Sequence, residues 1–180
     1  MPVSSRLHLG CGPFAVPNWI NVDRLALPGV QAVADVCGGL PFAAGTFDEA
    51  VAIHVLQDLP WGDIPPALRE LRRVLRPGGV LRLGLPDLDR AIDAYRRGDY
   101  RHFDVPDGDA RSIGAKLVTQ IVWYGSVRTP FTIDYAAEVL QGAGFREVTS
   151  CAFRQSRHGE PALAALDNRP RESLFVEALA

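Results

Sequence analysis

Residues 47–85 constrain this chain more than any other stretch. Phe47 opens an apolar run, centred on Ala50-Val51-Ala52-Ile53 and ending near His54, that predicts a short buried strand. Ile64, Leu68, Leu71 and Leu75 then recur at spacings of three and four, which predicts a helix with one apolar face. Asp63 stands where a cap belongs, Pro65 and Pro66 are tolerated in a first turn, and Pro77-Gly78-Gly79 stops the pattern. Arg69, Arg72, Arg73 and Arg76 lie on the other face or near the C-terminus, where the helix dipole favours cations. Residues 80–85 read as the next strand. A strand, a helix and a strand in succession argue for a parallel pair joined by a helical crossover.

The flanking sequence extends that sheet. Residues 7–9, 19–22 and 30–34 read as three earlier strands, stopped by Gly10-Cys11-Gly12-Pro13, Asp23 and Asp35. Asp87 is placed to cap a helix over 88–97 that Gly98 closes, and residues 99–110 read as loop. Residues 112–124 carry a helical apolar pattern, and Thr132 can cap another helix running to 141. Residues 145–153 and 173–178 read as closing strands, with 154–171 as a long loop between them. The expected fold is a single α/β domain over 1–180, its sheet mostly parallel with an antiparallel strand at the C-terminal end. Sheets of this kind bind ligands outside the carboxyl ends of their strands. The functional question therefore falls on residues 10–13, Asp23, Asp35, residues 54–58, Pro86 and Asp87.

Composition narrows the partners. A net charge of −2 over 180 residues gives no reason to expect nucleic acid or an acidic membrane. Three widely spaced cysteines without a CxxC argue against a disulfide framework or a zinc site. The opening MPVSSRLHLG lacks the basic start and apolar run of a signal peptide, and no stretch has the length of a membrane span. Cytoplasm is the expected address.

The strand exits resemble those of the class I S-adenosylmethionine-dependent methyltransferases. The likeness rests on LHLGCGP at 7–13, NVD at 21–23, DV at 35–36 with LPFAAGTFDEAVAIHVLQDL at 40–59, and ALRELRRVLRPGGVLRLGLPDL at 67–88. It covers residues 6 to about 97 well and the remainder more loosely, through AGF at 143–145 and the ending RPRESLFVEA at 169–178. The whole chain looks most like short methyltransferase-like proteins of bacterial polysaccharide and secondary-metabolite gene clusters. The resemblance implies a Rossmann-like sheet, S-adenosylmethionine as cofactor with S-adenosylhomocysteine as product, and a small-molecule or glycan acceptor.

The resemblance assigns roles residue by residue. Gly10, Cys11 and Gly12 would pack against the methionine and ribose parts of the cofactor; the two glycines lack a Cβ and allow close approach. Asp23 would accept two hydrogen bonds from the ribose diol. Asp35 would sit near the adenine amino group, with Val36 lining the ring. His54 would line the methionine end or handle a substrate proton. The family often has HVLEHL where this chain has HVLQDL, so Gln57 and Asp58 alter the polar groups nearest the transfer site. Base candidates are His54, then Asp58, Tyr124 and His102. Asp87 reads chiefly as a helix cap and secondarily as a substrate contact. Acceptor-facing residues would come from about 99–132 and 154–171, which hold Phe103, Trp123, Arg128, Arg157, His158 and Glu160.

Two crossovers are too short for the ordinary family pattern. Residues 10–18 and 24–29 leave no room for helices. A dinucleotide fingerprint needs a helix N-terminus for pyrophosphate and an acid about 20 residues on; Asp23 comes too soon. A sulfonium nucleoside has no phosphate and tolerates the loss. The shortening also predicts that helices are reduced on one sheet face near the first three strands. Helix 112–124, the loop 154–171 or a second copy of the chain in a homodimer would cover it. Two rival readings remain beside the enzyme: a non-catalytic methyltransferase-like binding protein, and, less well supported by the glycine spacing, an oxidoreductase.

Overall fold

The computed structural model describes residues 5–159 and 161–180, so the first residues of the opening segment and Glu160 lie outside the described residues. Seven strands form one sheet: β1 (Arg6–Leu9), β2 (Ile20–Asp23), β3 (Ala32–Val33), β4 (Phe47–Ile53), β5 (Leu75–Pro86), β6 (Arg146–Cys151) and β7 (Ser173–Leu179), in spatial order β3-β2-β1-β4-β5-β7-β6. The first five pair in parallel, and β7 inserts antiparallel between β5 and β6. Among the described residues five α-helices accompany them: α1 (Ile64–Val74), α2 (Leu88–Arg97), α3 (Ile113–Val122), α4 (Ile133–Gly142) and the short α5 (Pro161–Ala164). Among the described residues no helix is long and apolar enough to cross a membrane.

Local chemistry sets most helix starts. Asp87, Ser112 and Thr132 each accept a hydrogen bond from the backbone N–H three residues on, and Gly98 closes α2 in a left-handed turn. Two expectations for α1 fail. Asp63 makes no capping bond, because the two N–H groups a cap would serve belong to Pro65 and Pro66, which have none. Leu75 is not on the helix. Pro77 disfavours helical backbone just before it, and Leu75 turns extended to pair with Phe47, so β5 begins five residues earlier than its apolar run.

The two faces of the sheet are built differently. Leu7, Leu9, Ala50, Ala52, Leu81, Leu83 and Val176 pack with Leu68 and Leu71 of α1 and Leu140 of α4 in one apolar core. The opposite face carries a register line across five strands that reads Asn21, His8, Val51, Arg82, Glu177. All five are buried and four are polar. No helix lies between β1 and β2 or between β2 and β3, as their lengths required.

The segment from Ala152 to Glu172 covers that face, and is called the strap below. Leu163 of α5 packs with Trp19, Val51, Ile53 and Val80. Helix α3 does not reach this face; Ile113 and Leu117 pack on Ala91, Ala94 and Phe103. Arg82 fastens the strap. Its Nε and Nη2 donate to the two Asp167 oxygens at 2.7 and 2.6 Å, and Nη1 donates to Glu177 Oε1 at 2.6 Å and to the Gln155 carbonyl at 3.1 Å. The side chains of all three ionic partners are fully buried. Burial opposes the charge on Arg82, but the hydrogen bonds and charges of Asp167 and Glu177 outweigh it and leave its pKa raised. At the outer part of the face, His8 Nδ1 meets Asn21 Oδ1 at 3.2 Å, and Arg6 pairs with Glu49 at 2.7 Å.

Truncating one member of a buried ion group leaves the others charged and unpaired, at a cost of about 3–5 kcal/mol. Arg82→Met is therefore expected to lower the unfolding free energy by about that amount in urea titration. A loss below about 1 kcal/mol would show that the strap is held by its apolar contacts alone.

Candidate active site

The cleft lies at the carboxyl ends of β1 to β4. After Leu9 the chain turns sharply: Gly10 and Gly12 have φ +66° and +52°, and the Gly10 N–H donates to the Val22 carbonyl at 2.8 Å. A Cβ on Gly10 would stand 2.3 Å from Val55 Cγ2, whereas one on Gly12 would meet nothing within 4 Å. Gly10 thus lets the turn sit on the β4 exit, and Gly12 leaves open space. The Asp23 carboxylate braces this turn, accepting the Gly12 N–H at 2.8 Å and the Leu25 N–H at 2.9 Å. Each oxygen keeps acceptor capacity for a further donor.

Leu9, Gly10, Gly12, Asp23, Asp35, Val36, His54 and Asp58 line a cavity of about 330 Å³. The structure thus gathers every residue expected at a nucleoside except Cys11. Cys11 is 2% exposed, its thiol faces the Gly12 carbonyl, and it does not line the cavity. Burial, and then the Asp23 charge, push that thiol up. Asp35 is exposed, with Oδ1 taking the Cys37 N–H, while Val36 beside it is buried.

A second cavity of about 240 Å³ adjoins the first, and His54 and Asp58 line both. Its walls are Gln57 from the turn after β4, Asp87 and Leu88 at the start of α2, Gln120 and Trp123 at the end of α3, and Arg169 and Glu172 from the end of the strap. His54 has φ +55°, and its ring Nε2 lies 2.9 Å from Ser173 Oγ. Burial, with Arg169 second, lowers its pKa to about 4, so the ring is neutral at pH 7. Asp58 and Glu172 are both raised by burial, against the pull of nearby arginines. The Gln57 carbonyl takes the N–H groups of Arg128 and Thr129, pinning the loop after α3, and Gln57 Oε1 is buried without a partner. Among the described residues no cluster of His, Cys, Asp and Glu suits a metal ion.

Two base candidates stand elsewhere. Tyr124 is exposed and its hydroxyl donates to Asp109 at 2.6 Å. His102 packs edge-on against Phe103 and lines neither cavity. Arg128, Arg157 and His158 also stay off the cavity walls, whereas Asp87 serves as helix cap and wall together. Sequence reasoning missed Gln120, Arg169 and Glu172. The acceptor-facing stretches 99–132 and 154–171 take in Gln120 and Arg169 without naming them, and the RPRESLFVEA ending takes in Arg169 and Glu172.

The family model of the methyltransferase domain matches residues 15–83. That match, together with the fold, makes the chain similar to the class I methyltransferases. A solved S-adenosylmethionine-dependent methyltransferase of Thermotoga maritima superposes with a TM-score of 0.59 at 19% identity, covering 99% of this chain and 83% of that one. The 1,6-didemethyltoxoflavin N1-methyltransferase of Burkholderia thailandensis, solved with 1,6-didemethyltoxoflavin and S-adenosylhomocysteine, gives 0.58 at 18% identity over 98% of this chain and 70% of that one. Over 140 residues the chain is also 32% identical to an uncharacterised 37.1 kDa protein in transposon TN4556 of Streptomyces fradiae. That alignment takes in 65% of this chain and spans 39% of the relative's length.

The two glycines of the turn should respond differently to a methyl group. Gly12→Ala carries only the left-handed backbone cost, about 1–2 kcal/mol. Gly10→Ala adds the overlap with Val55 and should lose about 2–4 kcal/mol. Equal losses for the two in thermal or urea unfolding would contradict the close packing of Gly10 on the β4 exit.

Proposed function

We propose that this chain is a methyltransferase that carries a methyl group from S-adenosylmethionine, held in the larger cavity, to a small-molecule or glycan acceptor held in the smaller one. One observation carries the reading: two adjoining cavities at the carboxyl ends of the strands share His54 and Asp58. Donor and acceptor placed there would meet across those two side chains.

The residues of the larger cavity fit a nucleoside. Asp23 presents acceptor oxygens to a ribose diol, Val36 offers an apolar wall to a base, and Asp35 keeps an exposed carboxylate for an exocyclic amine. No helix starts at the β1 exit, so nothing there would hold a pyrophosphate, which disfavours a dinucleotide. When bound, the cofactor supplies a methyl group activated by a sulfonium. The protein's part is to align donor and nucleophile and to exclude water.

The smaller cavity suits a sugar-like acceptor. Trp123 gives one apolar wall, and Gln57, Asp58, Gln120, Arg169 and Glu172 supply planar polar groups that pair with hydroxyls. A binding domain without turnover is the second reading; the weak basicity of His54 favours it. S-adenosylhomocysteine binding with no methylation of any acceptor would distinguish it. The homodimer expected from a bare sheet face loses that argument, since the strap covers the face. Exposed Phe14, Leu25 and Val33 near the β3 edge offer a second copy its surface, and sedimentation at micromolar concentration tests it. Three free cysteines accord with the cytoplasm.

Calorimetric titration with S-adenosylhomocysteine should show micromolar binding, weakened at least about tenfold in Asp23→Asn, the loss of one charged hydrogen-bonding acceptor. Absence of binding by the wild-type chain removes the proposal. The His54 environment makes a separate prediction. Its folded pKa lies below its unfolded value of about 6.5, so the unfolded chain binds the proton first. Stability from this group is present above pH 6.5 and is lost as pH falls toward 4, by up to about 3 kcal/mol. His8 and His102 are also lowered by burial and act in the same direction, so the comparison is with His54→Asn. That variant should lose less stability than wild type between pH 6.5 and 4; parallel curves would contradict the burial of His54.

A further inference from the structure

His54 is joined to a neighbour that the function proposed above does not use. Ser173, the first residue of β7, is fully buried, and its Oγ lies 2.9 Å from His54 Nε2 and 3.3 Å from the Asn168 carbonyl. A carbonyl oxygen can only accept. The Ser173 hydroxyl proton therefore points to Asn168, and the hydroxyl lone pairs are left for the imidazole. The Nε2 atom must then carry a proton to complete the bond.

A neutral imidazole holds one proton, so placing it on Nε2 leaves a lone pair on Nδ1. The ring is neutral at pH 7 because burial and Arg169 disfavour the cation. Nδ1 has no bond to a described residue, and it is not among the buried polar atoms that lack a partner. The ring lines both cavities, and its Nε2 edge is committed to Ser173. The backbone fixes the ring's origin as well: the His54 N–H donates to the Gly84 carbonyl at 2.8 Å, in a left-handed conformation.

We infer that Ser173 is a positioning residue that holds His54 as the Nε2–H tautomer and so turns the Nδ1 lone pair toward the acceptor's nucleophile. The inference rests on the acceptor reading of the smaller cavity and deepens it by naming a substrate class. The nucleophile must bring a hydrogen that Nδ1 can receive, which selects a hydroxyl or a primary or secondary amine over a thioether or a tertiary amine. In the transfer, the nucleophile forms its bond to the methyl carbon and the electron pair of the breaking C–S bond stays on sulfur. The proton passes from the nucleophile to Nδ1, and then to solvent. The Gln57 and Asp58 that replace the usual family residues leave His54 as the imidazole at this junction.

The tautomer can be read without any acceptor. The full chain, labelled with ¹⁵N-histidine, contains four histidines, and the His54 signals are those missing from His54→Asn. At neutral pH, long-range ¹H–¹⁵N correlation should show a protonated Nε2 and an unprotonated Nδ1 for His54. Ser173→Ala should move both nitrogens toward a tautomer average, and Ser173→Thr, which keeps the hydroxyl, should restore the wild-type pattern. A protonated Nδ1 in the wild-type chain overturns the inference, as does an unchanged pattern in Ser173→Ala. The wild-type spectrum decides the first of these even where a variant does not fold. S-adenosylhomocysteine titration of the same samples separates the two proposals: loss of cofactor binding removes the functional reading and leaves the tautomer result standing.

Discussion

Arg82 is the group on which the rest of the structure depends. It stands in the middle of a central strand, fully buried, where a guanidinium would be too costly to desolvate alone. Each of its five N–H groups has an acceptor: both Asp167 oxygens, Glu177 Oε1, and the carbonyls of Gln155 and, more distantly, Ala152. The two carboxylates are saturated in turn. Asp167 takes the Arg154 N–H, and Glu177 takes those of Arg157 and His158. A network satisfied at every member fixes one geometry, because every alternative leaves a charge or a backbone group unpaired in a low-dielectric interior. The strap is irregular backbone, yet it lies over the sheet in a defined path for this reason.

That path sets one wall of the smaller cavity, the proposed acceptor side. From Asp167 the chain runs through Asn168 and Arg169 to Glu172 and Ser173, within a few residues of the anchor. Those residues carry a cavity cation, a cavity carboxylate and the hydroxyl that holds His54. The larger cavity, the proposed cofactor side, is built from different material: turns braced by Asp23 against backbone N–H groups. The two halves meet at the β4 exit, where His54 leaves the sheet in a left-handed turn.

Legibility in the sequence followed locality. Asp87 and Thr132 cap with their own neighbours, and the βαβ core declared itself through periodicity, so these were readable. Asp63 misled because its fit as a cap depended on the absent N–H groups of the next prolines. Leu75 misled because it continues the helical spacing while pairing with Phe47 far away in sequence. The cleft residues Gly10, Gly12, Asp23, Asp35 and Val36 sit at strand exits, which sequence patterning locates. Arg82, Asp167 and Glu177 were not legible as a unit. Their separations carry no period, and an arginine in an alternating strand reads as solvent-facing. Gln120 comes from the end of α3 and Arg169 and Glu172 from the strap, and only the folded path brings these side chains together.

The strap gives one length of chain two duties. In an ordinary doubly wound sheet, the helices that shield a face are distinct from the loops that meet a substrate, so loops can diverge while the scaffold persists. Here the shield ends in a wall of the proposed acceptor cavity, six residues after a saturated charge network at the most. Drift in acceptor preference would therefore run unevenly around the pocket. The side contributed by the end of α3 and its following turn is free to vary, while the side contributed by Arg169 and Glu172 is tied to the integrity of the core. Descendants of such a chain with new acceptors should record their changes on the first side and keep the second.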